Sequence, residues 1–198
     1  MLNAYHPNED KLINYNEYIQ FALEENIQLV RNAPKARCPV CNDVLHTRAG
    51  KKTDNGHFYH QINSTCPTIE PNKRRYNYLY NSPDDNSSRI NNINFTKNNI
   101  EKIYNKVKEM VPYLDFKEFI NILKEAKRLD VYNYVGLDPS YLPYIFVTLI
   151  NFLPRYSYKK MRKLKFLFFY KSEIKNINDL WIRQGNSSKL IRISYKNN

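Results

Sequence analysis

Three cysteines and one of the histidines beside them constrain this chain more than any other feature. Cys38-Pro39-Val40-Cys41 is followed after 18 residues by His60, and after five more by Cys66. A Cys-x2-Cys turn presents two thiolates from one knuckle, and a distant second pair closes a tetrahedron around a single ion. The pattern predicts one structural zinc held by Cys38, Cys41, His60 and Cys66. His57, three residues before His60, and His46 are the rival fourth ligands. In an extended strand His57 and His60 face opposite sides, so only one of them should reach the metal. Few aliphatic residues lie between Cys38 and Cys66, and metal binding can supply the folding energy that a small core lacks.

The same cysteines bear on the compartment. No basic-plus-apolar leader opens the sequence and its longest strongly apolar run, Leu142 to Leu153, is 12 residues, too short for a bilayer. A cytoplasmic protein is expected, with metal ligation rather than disulfides as the use of its cysteines. With four protein ligands no position is left open for catalysis, and no Glu stands beside the histidines, so a catalytic metal is not expected.

Along the chain the expected class is α+β. A turn-rich start, Asn3 to Asp10, precedes a segment, Tyr15 to Val30, whose apolar residues fit neither period. Gly50 and Asn55-Gly56 are turn signals between short strands of a zinc ribbon-like module over residues 1–70. A polar connector, 71–95, contains the loop-like run Ser82-Pro83-Asp84-Asp85-Asn86. Residues 96–198 then read as a helical domain ending in a strand-helix-strand unit. Thr96 is positioned to cap a helix with Ile100, Ile103, Val107, Met110 and Val111 on one face. Asp115 is positioned to cap a second, with Phe116, Phe119, Ile120, Leu123 and Ala126. Tyr141 to Leu153 predicts a short buried helix. Leu164 to Tyr170 and Lys189 to Tyr195 predict strands flanking a helix at Ile174 to Ile182, the last strand with one wet face.

The first module also carries a resemblance. Leu2-Asn3-Ala4-Tyr5, Ala36-Arg37-Cys38-Pro39-Val40-Cys41, Arg48 to Gly50 and His57-Phe58-Tyr59-His60 resemble the N-terminal zinc module of the competence protein CoiA family. The likeness covers roughly the first 68 residues, matching at Cys38, Cys41, His57 and His60, with Cys66 as a variant ligand. In that family the module precedes a restriction-endonuclease-like domain, and the resemblance implies a nucleic-acid setting. The rest of the chain departs from it. A nuclease of that type needs an Asp and a Glu-x-Lys on adjacent strands to hold Mg²⁺. Here Glu125-Ala126-Lys127 falls in a predicted helix, Glu173-Ile174-Lys175 lacks a clear Asp partner, and Asp84 and Asp85 lie in a loop.

Charge then singles out the other end. Of the net +12, residues 1–68 contribute nothing, with seven Lys/Arg against seven Asp/Glu, whereas residues 155–198 hold twelve against two. Arg155, Lys159, Lys160, Arg162, Lys163 and Lys165 fall within 11 residues, interleaved with Tyr156 and Tyr158. Cations neutralise phosphates and release counterions, and tyrosines stack on bases, so this surface is expected to bind DNA or RNA. The alternative is an inhibitor or adaptor whose basic face engages an acidic or DNA-mimicking partner protein. Neither a Gly-rich phosphate loop nor paired carboxylates point to an enzyme acting on small molecules, and no membrane partner is expected.

Overall fold

The computed structural model describes residues 1–50, 56–70, 72, 86–134, 136–157, 160–171 and 190–195. It is α+β, as expected. Two short antiparallel strands, β1 (Asn3–Tyr5) and β2 (Leu12–Asn14), open the chain with Ala4 opposite Ile13. Asn14 then caps α1 (Tyr15–Glu24) with a reciprocal box: its side chain accepts from the Asn16 and Glu17 amides, and Glu17 accepts from the Asn14 amide at 2.7 Å. That cap resolves the segment left unassigned by periodicity, because two satisfied donors at its start outweigh a ragged apolar stripe. Tyr18 and Ala22 face inward.

β3 (His46–Arg48) and β4 (His57–Tyr59) pair antiparallel, His46 opposite Tyr59. Gly56, just before β4, serves a close approach: a Cβ there would lie 2.0 Å from the Tyr15 ring. No larger residue fits beneath that ring.

Four α-helices follow among the described residues: α2 (Asn86–Asn98), α3 (Ile100–Met110), α4 (Phe116–Arg128) and α5 (Leu142–Phe146). α2 begins inside the stretch read as a connector, at Asn86, and Thr96 lies inside it rather than capping the next helix. Its inward face is polar: Asn92 donates to the Tyr132 carbonyl at 2.9 Å, and Thr96 donates to the Asn92 carbonyl at 2.8 Å. A helix held by such bonds leaves little apolar periodicity to read. Asp115 caps α4 as expected, accepting from the Glu118 amide at 2.7 Å. The inward face is rotated, however, with Phe119, Ile122 and Ala126 buried and Phe116 65% exposed.

Two strand pairs end the described chain. β5 (Arg155–Ser157) pairs with β6 (Lys160–Arg162), and β7 (Lys165–Tyr170) with β8 (Leu190–Tyr195), Phe168 opposite Arg192. The helix expected at 174–182 lies outside the described residues. β8 keeps an exposed Arg192 on one face, as expected of the last strand, whereas β7 is buried on both sides. Leu167, Phe169 and Ile193 join the N-terminal core around Tyr18 and Phe58, whereas Phe166, Phe168 and Tyr170 join the helical core around Phe119 and Phe146. A strand buried on both sides reads as a continuous apolar run, which is what residues 166–170 are. Backbone bonds extend the pair at both edges: Leu2 donates to Ser194 at 3.0 Å, and Phe152 and Phe166 exchange two bonds of 3.0 Å. Among the described residues no helix is long and apolar enough to cross a membrane.

Candidate metal centre

Backbone bonds build the knuckle that carries the first two cysteines. The Cys38 amide donates to the Asp43 carbonyl at 2.8 Å, Asn42 to the Cys38 carbonyl at 2.9 Å, and Leu45 to the Ala36 carbonyl at 2.7 Å. Asn42 closes the turn at φ 64°, a left-handed position that Asn tolerates better than most side chains. Arg37 fixes this turn to the start of the chain: it pairs with Asp10 at 2.9 Å and donates to the Asn42 side chain at 2.8 Å and the Glu9 carbonyl at 2.9 Å. The Val40 amide approaches the Cys38 sulfur at 3.4 Å.

The second pair comes from the end of β4 and the loop after it. Phe58 points into the core, so His57 and Tyr59 share the opposite face of β4. His60, one residue beyond the strand, is free of that alternation and turns to the cysteines, its Nε2 3.7 Å from Cys41 Sγ. Ser64 lies 3.4 Å from His60 Nδ1 and accepts from the Cys66 amide at 3.2 Å. Thr68 Oγ1 is 3.1 Å from Cys66 Sγ, and Asn72 donates to the Ser64 and Cys66 carbonyls at 2.7 and 3.1 Å.

Cys38, Cys41, His60 and Cys66 thereby place four ligand atoms within 4.8 Å of one another. Cys38 and Cys66 sulfurs are 3.9 Å apart and unbonded. Metal–sulfur bonds of ~2.3 Å and metal–nitrogen bonds of ~2.0 Å in a tetrahedron put sulfurs ~3.8 Å apart and sulfur and nitrogen ~3.6 Å apart. The cluster fits one metal ion on those terms. Its electrostatics fit as well. Burial pulls the His60 imidazolium down, but Cys38 and Cys66 outweigh it and push His60 up to about 9. Hydrogen bonds from Cys38 and Cys41 hold Cys66 well below the usual thiol range, while contacts with Cys38 and Cys66 push Cys41 up. Three thiols crowded together cannot all ionise without a countercharge, and a divalent cation supplies one.

His46 and His57 stay outside this cluster, His46 beside Tyr59 with ring centroids 5.7 Å apart and His57 beside the same ring at 6.2 Å. The hydroxyls of Ser64 and Thr68 escaped the sequence reading, although their alternation around Cys66 was there to be seen.

The basic end is less uniform than its sequence. Arg162 is 4% exposed: its guanidinium pairs with Glu118 and donates to the Leu153 and Pro112 carbonyls at 2.7 and 3.1 Å. Arg155 pairs with Asp115 and, at 3.4 Å, with Glu118. Both anions belong to the start of α4, so these two cations fasten the β5–β6 pair to that helix and Arg162 has no free face for a phosphate. Lys163 is exposed and Lys165 half-buried. Lys159, and the side chain of Lys160, lie outside the described residues. Of the nuclease candidates, Glu125 is ion-paired with Arg128 at 2.6 Å on α4, and Asp84, Asp85 and Glu173 lie outside the described residues. No family model, curated protein or solved structure matches this chain.

Proposed function

We propose that this chain is a non-enzymatic zinc protein that binds nucleic acid through the basic surface of its C-terminal part. Three cysteines and one histidine whose ligand atoms lie within 4.8 Å of one another are a donor set that suits zinc among biological cations. Four protein ligands leave no coordination position for a substrate, which favours a structural ion. The observation that carries the nucleic-acid reading is the charge distribution, twelve Lys/Arg against two Asp/Glu in residues 155–198 beside a neutral metal module. Asp115 and Glu118 consume Arg155 and Arg162, and the surplus then rests on residues such as Lys163, Lys165 and the exposed Arg192. The CoiA-like pattern of residues 1–68 suggests the same setting.

Fluorescence anisotropy with labelled DNA and RNA of increasing length, at 50 to 200 mM salt, tests it. Replacing Lys159, Lys160, Lys163 and Lys165 with Gln should preserve fold and zinc content, weaken binding strongly and flatten the salt slope by up to about four phosphates. Unchanged binding in that variant, or none by the wild type, removes the reading.

A second reading, a protein-interaction module for an acidic or DNA-mimicking partner, draws on a groove beside the β5–β6 pair. Tyr156, Leu153 and Tyr113 rim it, 73%, 56% and 47% exposed, over the neutralised Asp115–Arg155 pair. Exposed aromatics beside charge are common at protein interfaces. Capture of a stoichiometric partner that survives nuclease treatment, with modest salt sensitivity, would put this reading first.

A further inference from the structure

A second site lies in the helical half, away from the metal. The face of α2 from Arg89 to Lys97, Ile100 at the start of α3, Leu123 and Lys127 on α4 and the turn at Asp130–Tyr132 line a partly open cavity of about 560 Å³, within the size range of small-molecule sites. Its apolar walls are Ile93, Ile100, Leu123 and the Tyr132 ring. The charged lining is unbalanced. Arg89, Lys97 and Lys127 face a single anion, Asp130, which is already paired with Arg89 at 2.8 Å. Lys97 and Lys127 have no ion-pair partner among the described residues. Asp130 holds φ at 49°, an unfavourable left-handed backbone that the Arg89 pair and the bond from Asn133 N to its carbonyl, 3.0 Å, keep in place.

We propose that this cavity binds a small organic anion with an apolar body, its head group between Lys97 and Lys127 and its body against Leu123 and Tyr132. The proposal is independent of nucleic-acid binding, since none of these residues belongs to the basic C-terminal segment.

Titration of the zinc-loaded full chain with anilinonaphthalene sulfonate, followed by fluorescence, tests it, with decanoate and decyltrimethylammonium as competitors. One saturable site is expected, displaced by decanoate and not by the cation. The exposed pair Lys97→Gln/Lys127→Gln should weaken it roughly tenfold with an unchanged circular dichroism spectrum. Ile93→Trp, which fills the cavity, should abolish it, and Lys163→Gln/Lys165→Gln should leave it unaltered. Absence of a saturable site, displacement by the cation, or equal affinity in the Lys97/Lys127 variant overturns the proposal.

Discussion

The two cores of this molecule solve the same problem by different means. The N-terminal core sets six small side chains, Ala4, Ala22, Ala33, Ala36, Cys38 and Cys66, among larger ones such as Tyr18, Leu45, Phe58 and Phe169. The helical core is dominated by large apolar groups, among them Phe119, Ile122, Leu142, Phe146 and Phe152. Small side chains bury less area to offset chain entropy, so the first core is expected to lean on an ion held by its four converging ligands, whereas the second stands on apolar burial. β7 and β8 lie between them and lend one face to each.

The strongest way to break that contrast is to remove the metal. Cys41→Ser, or chelation, should abolish stoichiometric zinc, whose binding in such sites is worth ~10–16 kcal/mol. Hydrogen exchange should then rise sharply at Leu45 and Phe58 and less at Val107 and Ile122; equal loss at both would show one cooperative unit. Acid should act the same way, since ligation needs deprotonated thiols and neutral His60, so zinc affinity falls as pH falls. Elemental analysis across a pH series reads it.

A large cut in the other core should have the opposite signature. Phe146→Ala removes a fully buried ring and should cost about 3–5 kcal/mol in denaturant unfolding while the folded protein keeps its zinc. Glu118→Ala probes the tie between α4 and the β5–β6 pair. It leaves Arg162 buried without its anion, and a loss of about 3 kcal/mol or more is expected. Restoration by the second change Arg162→Met would confirm that the unpaired charge, not lost packing, is the cause.

Smallest in expected effect, Gly56→Ala pushes a methyl into the Tyr15 ring. A cost of about 1–3 kcal/mol, read as a lowered thermal midpoint, is expected together with weaker zinc retention, because β4 leads directly into His60. His57→Ala, on the far face of the same strand end, should leave zinc retention near that of wild type. Equal zinc loss in His57→Ala and His60→Ala would show that the local geometry is different.

Much of the metal centre was legible in the chain because its information is chemical. A Cys-x2-Cys pair with a distant His and Cys admits few other uses, and the Asp115 cap could be read for the same local reason. Helix α2 could not, since its inward Asn92 and Thr96 are satisfied by bonds to Tyr132 and to its own turn that no periodicity reports. Nor could the fate of the basic run. In sequence Arg162 and Lys163 are equivalent cations; in the fold one is buried against Glu118, 44 positions earlier, and the other faces solvent.

What the sequence determined by itself is the ligand chemistry and the excess of positive charge, because both are properties of side-chain type and short spacing. Tertiary structure alone decided which cations stay free and that β7–β8 serves two cores at once, and it placed His60 rather than His57 with the cysteines. Those outcomes depend on which face of a strand or helix meets a distant neighbour, and a one-residue change of phase reverses them.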